Sequence, residues 1–276
     1  MKILVTGHEG FIGQHMMAAL KASGHDVIGY EWDASVFPEV RGMDAVIHLG
    51  AISATTYPDL EQIMRQNYDF SVKLLHECLD HDVPFQYASS ASVYGQTTHF
   101  TEDGELAPQS YYAWTKYLFD RYASNYLDQG IAVTGLRYFN VYGHQGEEHK
   151  GGMSSPYHKF RAQAQATGKI KLFRNSDAYL RDFISVEDVV DVSLRLLERP
   201  ASGVFNVGTG VATSFQEVAE AMAKVCQAEI EYIDMPEAVK NQYQAFTRAN
   251  LEKLNAVMEK SWVPIIRYIE EGGVGH

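Results

Sequence analysis

The apolar positions of the chain come in two rhythms. Short, nearly continuous apolar runs occupy Lys2 to Thr6, Asp26 to Glu31, Ala45 to Leu49, Phe85 to Ser89, Ala132 to Leu136 and Val204 to Val207. Their length and β-branched content predict buried strands. Between them, Phe11 to Ser23, Leu60 to Leu79, Tyr111 to Leu127 and Val186 to Glu198 place apolar residues three and four apart, the spacing of a helix with one buried face. Strands that alternate with helices must pair in parallel through crossover connections. The expected fold is therefore α/β, with a doubly wound parallel (Rossmann) sheet. The connection from Glu31 to Ala45 is too short for a full strand-helix unit, so that edge of the sheet should be trimmed. Beyond Asn140 the pattern loosens. Gly146, Gly151, Gly152 and Pro156 suggest a loop-rich lobe over residues 141–180, and the last stretch mixes helices with one strand, Glu229 to Ile233. The expectation is a dinucleotide-binding domain from 1–141 plus 183–208. A smaller, interleaved α/β substrate lobe from 142–182 plus 209–276 completes it.

Two clusters on this frame carry chemistry. Gly7, Gly10 and Gly13 recur at intervals of three, directly after the first strand and at the start of a helix, with Phe11 and Ile12 between the last two. In a dinucleotide fold such glycines permit the tight turn, the approach of backbone to a pyrophosphate, and close helix-strand packing. The phosphates then face unpaired N–H groups at the helix N-terminus. Glu31 ends the second strand. A carboxylate there can accept both hydroxyls of an adenosine ribose and repels a 2′-phosphate. No Arg or Lys lies between Glu31 and Arg41, so NAD is favoured over NADP.

The second cluster is Tyr112 with Lys116, spaced i, i+4 on one helix face. A phenol ionises near ~10 and is a poor base at neutral pH unless a neighbouring ammonium and an oxidised nicotinamide favour its phenolate. Ser90 lies at the end of the Phe85 strand, where ligands of open α/β sheets bind, and can hydrogen-bond a reacting sugar oxygen. The bland alternative for the serines is local capping of a loop.

Composition narrows the partners. The chain has 276 residues, 46% hydrophobic and 21% charged, with a formal net charge of −12. That acidity argues against nucleic acid and anionic membranes as partners. The two cysteines, Cys78 and Cys226, show no metal or redox spacing and read as reduced thiols; no metal site is expected. No apolar run approaches the ~20 residues needed to span a bilayer, and the first strand begins at Lys2, so the cytoplasm is the expected compartment.

Thr-Gly-x-x-Gly-x-x-Gly at Thr6 to Gly13, Ser-Ser-Ala-Ser-Val-Tyr-Gly at Ser89 to Gly95, and Tyr-x-x-x-Lys at Tyr112 resemble the extended short-chain dehydrogenase/reductase family of NAD-dependent epimerases and dehydratases. Further segments resemble its heptose 6-epimerase branch, which acts on ADP-linked glycero-manno-heptose. They include Arg137-Tyr138-Phe139-Asn140, His149-Lys150-Gly151, Arg181-Asp182-Phe183 and Tyr243-Gln244-Ala245-Phe246-Thr247.

The resemblance implies a nucleotide-sugar epimerase that oxidises its substrate transiently to a ketone and then returns the hydride. It implies catalytic roles for Ser90, Tyr112, Lys116 and Lys150. Lys150 would be a second proton-transfer group serving the opposite face of the sugar carbon. It implies cofactor contacts from Gly7, Gly10, Phe11, Ile12, Gly13, Glu31, Asn67, Tyr112 and Lys116. Substrate contacts would come from Ser90, Asn140, Lys150, Arg181 and Tyr243, and a homo-oligomer is expected.

Three departures stand out. The stretch after Glu31 is short and lacks the basic residues that hold NADP in the heptose branch. Leu180 replaces a Lys before Arg-Asp-Phe, and the C-terminus is shorter. NADP stays possible by resemblance. A dehydratase usually carries an Asp-Glu pair where this chain has Ala91-Ser92, which disfavours loss of water. A 4-epimerase or reductase on another nucleotide sugar is the alternative within the family, and a silent dinucleotide-binding sensor the alternative outside enzymes.

Overall fold

The computed structural model describes residues 1–127, 129–236 and 244–272. Its centre is a six-stranded sheet in the order β2-β1-β3-β4-β5-β9. The strands are β1 (Lys2–Thr6), β2 (Asp26–Tyr30), β3 (Ala45–His48), β4 (Phe85–Ser90), β5 (Val133–Tyr138) and β9 (Gly203–Val207), all paired in parallel. Side chains alternate across a strand, and β1 shows the result. Ile3 and Val5 pack against Met16 and Leu20 of helix α1 (Phe11–Ala22) and Val190 and Leu197 of α6 (Val186–Glu198). Leu4 faces the other way, into a core with Phe70, Leu74 and Phe119. The sheet is thus covered on both faces, as a doubly wound fold requires. β2 forms its edge, and no helix joins β2 to β3, which is the trimmed edge anticipated above. The chain leaves β1 in one direction for β2 and then crosses to the other side for β3. A ligand crevice forms outside the carboxyl ends at such a reversal.

The helix expected over Leu60 to Leu79 is α2 (Leu60–Met64) and α3 (Phe70–Asp80), joined by a π-helical turn over Arg65–Asp69. This turn holds the buried Asn67. The fourth helix, α4 (Tyr111–Ala123), lies on the same face and begins at Ser110, whose hydroxyl accepts from the Ala113 amide at 3.2 Å.

The remaining strands form two small sheets. The first, ordered β10-β8-β6, contains β6 (Asn140–Tyr142), β8 (Leu180–Ser185) and β10 (Ala212–Ser214). The second pairs β7 (Lys169–Phe173) with β11 (Glu229–Ile233) in parallel. Residues 141–180 are more regular than their glycines suggest, because they hold β7 and a helix, α5 (Pro156–Thr167). Ser155 caps α5, Pro156 opens it, and Gly168 in the left-handed conformation stops it. Only Tyr157, Phe160 and Ala164 of α5 are buried, so its apolar periodicity is faint. α5 packs beside α7 (Phe215–Cys226) and the short helix Ile265–Glu270 in a core of their own.

Asp182 of β8 stitches these parts together. Its buried carboxylate accepts from the Thr209 amide and hydroxyl, the Gly210 amide and the Ala249 amide at 2.7 to 2.9 Å. Burial nevertheless holds it above the usual carboxylate range. Both cysteines are free thiols, and no described helix is long and apolar enough to cross a membrane.

Beneath the crevice, His48 closes β3. Ser71 Oγ donates to the Asn67 carbonyl at 2.6 Å, so it accepts from His48 Nε2 at 2.7 Å. Nδ1 is therefore the acceptor for Thr6 Oγ1 at 2.6 Å, and Thr6 Oγ1 in turn accepts from the Gly50 amide. With both nitrogens engaged and the ring buried, the imidazole is pushed down from 6.5 to about 3, chiefly by loss of hydration and secondarily by the Lys116 charge. Between those values the unfolded chain binds a proton that the native protein does not. Stability is then present in full above pH 6.5 and lost as pH falls toward 3, at roughly 1.4 kcal/mol per pH unit for one proton. Denaturant unfolding of His48→Gln beside wild type should show that this part of the acid slope disappears in the variant.

Candidate active site

The floor of the crevice depends on glycine. Gly7 leaves β1 with φ of +70°, and a Cβ there would sit 2.5 Å from the Gly50 amide nitrogen. A Cβ on Gly13 would collide with the Gly7 carbonyl oxygen. No side chain caps α1 at Gly10, so the N–H groups of its first turn remain available to an anion. Glu31 follows β2. Its Oε1 accepts from the Glu9 amide at 2.8 Å and lies 3.2 Å from His8 Nδ1. Beside it Trp32 forms a wall, and the Arg65 guanidinium lies 5.9 Å from that ring's centroid. Arg65 is distant in sequence, so no reading of the stretch after Glu31 could find it.

A cleft of about 620 Å³ runs from here along the carboxyl edge of the sheet. Gly7, Gly10, Phe11, Ile12, Gly13, Glu31, Ser90, Tyr112, Lys116, Asn140 and Lys150 all line it. The glycine floor, the exposed helix terminus and the carboxylate at the end of β2 together fit a dinucleotide, with Tyr112 and Lys116 farther along the same wall.

Ser90 ends β4, and its Oγ accepts from the Ser92 amide at 3.2 Å and hydrogen-bonds Tyr112. Lys116 Nζ donates to the Ala88 carbonyl at 2.7 Å and lies 5.9 Å from the Tyr112 ring centroid. Burial drives the Lys116 ammonium down to about 8, opposed by the charge of Asp120. Tyr112 differs from expectation. Its phenol stays above the ordinary value, because burial outweighs the Ser90 hydrogen bond that favours phenolate. Positive charge brought close to the phenol, from Lys116 or from a nicotinamide, would act against burial and favour the phenolate.

Asp120, missed in the sequence, sits one helical turn beyond Lys116. Its Oδ2 accepts from Ser89 Oγ at 2.9 Å and from Arg137 Nε at 2.8 Å. Arg137 also donates to the Tyr94 hydroxyl and the Glu102 carbonyl, both at 3.0 Å. This network ties α4 to the carboxyl ends of β4 and β5. The signal available was an acid four residues after Lys116 and an Arg in the Arg-Tyr-Phe-Asn segment.

Lys150 reaches the cleft from the loop after β6. Its Nζ donates to Glu147 Oε2 at 3.2 Å and lies 4.5 Å from the Phe11 ring centroid. Three residues fall outside this constellation. Asn67 is not part of the lining. Its amide serves the fold, accepting from the Ile52 amide and donating to the Ile52 carbonyl and Thr115 Oγ1. It shapes the wall at Ala51 and Ser53 indirectly. Arg181 lies apart from the cleft, donating to the Leu180 carbonyl and stacked 5.6 Å over Phe215. Tyr243 lies outside the described residues.

The Lys116 environment has a direct readout. Acylation of the ligand-free protein across pH, followed residue by residue by mass spectrometry, should show Lys116 reacting with a midpoint near 8, the value to which burial lowers its ammonium. Asp120→Asn should move that midpoint lower still. A midpoint with the exposed lysines, about 10.4, would mean that the ammonium is hydrated.

Comparisons with known proteins agree with this geometry. The NAD dependent epimerase/dehydratase family matches residues 3–208. The chain is 41% identical over 290 aligned positions to the ADP-L-glycero-D-manno-heptose-6-epimerase of Alkalilimnicola ehrlichii, covering 92% of this chain and 90% of that protein. Among solved structures, the Helicobacter pylori ADP-L-glycero-D-manno-heptose-6-epimerase superposes with a TM-score of 0.86 at 25% identity, covering 98% of this chain and 94% of that one. The Thermus thermophilus UDP-glucose 4-epimerase complexed with NAD gives 0.79 at 25%, covering 99% and 100%. With a glycine-floored cleft, a Ser90–Tyr112–Lys116 set on its wall and a match across most of its length, the chain belongs to the NAD dependent epimerase/dehydratase family.

Proposed function

We propose that this protein epimerises a nucleotide-diphosphate sugar, with ADP-L-glycero-D-manno-heptose as the substrate and its C6 as the reacting centre. The observation that carries the reading is that Tyr112 and a second ionisable side chain, Lys150, line one cleft. A nicotinamide cofactor held over Gly7, Gly10, Gly13 and Glu31 would supply reversible hydride exchange at the carbinol carbon. Tyr112 moves the hydroxyl proton on one face, with Ser90 orienting the oxygen and Lys116 placing its charge beside the phenol. After the ketone turns over, Lys150 supplies the proton on the other face. Ala91 is buried where a dehydratase places a carboxylate, which favours epimerisation over loss of water.

Asn140, on the cleft wall, is proposed to hold the diphosphate, and Tyr243 the sugar or base. Residues 1–141 with 183–208 would carry the dinucleotide, and 142–182 with 209–276 the substrate. We also propose a cytoplasmic homo-oligomer. The exposed Tyr111 and Trp114 of α4 offer apolar surface for self-association.

NAD is the proposed cofactor, because a carboxylate at the end of β2, on the cleft wall, favours ribose hydroxyls and would repel a 2′-phosphate. Titration should show NAD binding at least roughly tenfold tighter than NADP, a gap of ~1.4 kcal/mol. Glu31→Ser combined with Trp32→Arg should narrow or reverse it. Tighter NADP binding by the unmodified protein would remove Glu31 from the ribose.

Turnover tests the chemistry. Tyr112→Phe keeps the ring and deletes the proton, so epimerisation should fall by roughly 10² to 10⁴ while cofactor still binds. Activity within a few-fold of wild type would exclude Tyr112 as the acid/base. Absence of turnover on the ADP-heptose, with turnover on a UDP-hexose, would move the assignment to a 4-epimerase.

A further inference from the structure

The loop that carries Lys150 hides a carboxylate with no part in the chemistry above. Glu147 is 0% exposed. Its Oε2 accepts from Lys150 Nζ at 3.2 Å and from the Ser155 amide at 2.7 Å, and its Oε1 accepts from the Ser155 hydroxyl at 2.6 Å. Ser155 is the residue that caps α5, so one carboxylate joins the lysine to the start of a helix at the cleft wall. The same loop rests on Phe11, the first residue of α1. A Cβ on Gly143 or Gly146 would come within 3.0 or 3.3 Å of that ring. Lys150 Nζ is therefore bracketed by a buried anion and the face of an aromatic ring.

Burying a carboxylate is costly unless its oxygens are satisfied and its charge is matched. Ser155 satisfies the oxygens, Lys150 matches the charge in direct contact, and the Lys159 ammonium, held at the Gly152 carbonyl, adds a longer-range attraction. A loop staple would need the Ser155 bonds alone, and a neutral glutamine could make part of them. The ionised side chain is needed for the lysines, of which Lys150 is the one in contact with it. A lysine left free on a glycine-rich loop would sample many rotamers, and holding it loses less of the advantage of proximity when the substrate arrives.

We propose that Glu147 is a positioning residue for Lys150, holding its ammonium at the cleft wall beside Phe11 so that it meets one face of the reacting carbon. Glu147 makes and breaks no covalent bond. The inference rests on the epimerase reading for its catalytic consequence, but not for the pairing itself.

Two measurements on the full chain separate these. The first needs no substrate: acylation of Lys150 at neutral pH, mapped by mass spectrometry against the exposed Lys21 as an internal reference. Glu147→Gln should raise Lys150 labelling several-fold and leave Lys116 unchanged. The second uses a 6-aldehyde analogue of the sugar nucleotide, disproportionated to acid and alcohol, with the face of hydride delivery read by deuterium. Lys150→Met identifies the face that depends on Lys150. On that face Glu147→Gln should lose roughly ten- to a hundredfold, the scale of a misplaced catalytic group. On the Tyr112 face it should stay within about twofold, the scatter between independent sites. Glu147→Asp, which keeps the charge with a shorter reach, should recover part of the loss, and it substitutes for the amide variant if that one does not fold.

Unchanged Lys150 labelling overturns the proposal. So does an equal loss on both faces, which would make Glu147 a general support of the loop. If the wild-type protein turns over neither face, the epimerase reading fails, and labelling alone decides whether Glu147 positions Lys150.

Discussion

Everything at the cleft depends on how closely α1 approaches the ends of β1 and β3. Gly7, Gly13 and Gly50 meet without side chains, and any Cβ on the first two would strike backbone. That contact brings the open N-terminus of α1 over the carboxyl edge of the sheet, where its unpaired N–H groups and dipole favour a phosphate. It also places Phe11 beneath the Lys150 loop, so the floor of the cofactor site doubles as the seat of a proposed substrate-side residue. His48 supports the same junction from below. Its two hydrogen bonds tie Thr6, and through Thr6 the Gly50 amide, to the helix at Ser71.

Buried charge organises the rest. Asp120, Glu147 and Asp182 are each nearly inaccessible; Asp120 and Asp182 gather donors from segments remote in sequence, and Glu147 from within its own loop and the start of α5. Asp182 binds the loops at Thr209 and Ala249 to β8. Asp120 locks Ser89 and Arg137 while its charge partly offsets the desolvation of Lys116. Glu147 holds Ser155 and Lys150 by hydrogen bonds. Buried carboxylates that take up donors in this way hold one arrangement of those donors, since leaving a donor unpaired in a dry interior is costly. Two of the three lie next to a lysine of the cleft, so the same groups that fix the fold also set where positive charge stands in the site.

Tyr112 shows what local spacing leaves open about reactivity. The i, i+4 relation with Lys116 places both on one helix face, as read from the sequence. The balance between burial, which raises the phenol, and the Ser90 hydrogen bond, which lowers it, depends on everything packed around α4. Asn67 is a similar case. Its place in a shared motif pointed to the cofactor, yet the π-helical turn directs its amide to Ile52 and Thr115. It acts on the cleft through the loop it holds.

The amino-acid sequence by itself determined the elements whose periodicity is strong: the parallel sheet, α1, α4 and α6, the trimmed edge after β2, and the glycines of the floor. These are legible because burial on a strand or one helix face writes a repeat of two or three to four residues, and because a left-handed or crowded backbone admits only glycine. The Ser90, Tyr112 and Lys116 set was legible for the related reason that strand ends and helix faces fix their directions. Only the tertiary structure decided the rest. α5 and β7 bury too few apolar residues to show a clear period. Arg65 meets Trp32, and Asp120 meets Arg137, across long sequence separations. Glu147 stands three residues from Lys150 in an acidic stretch and looks like a solvated charge. It becomes a buried partner because the fold closes over it, and no local pattern records the removal of water.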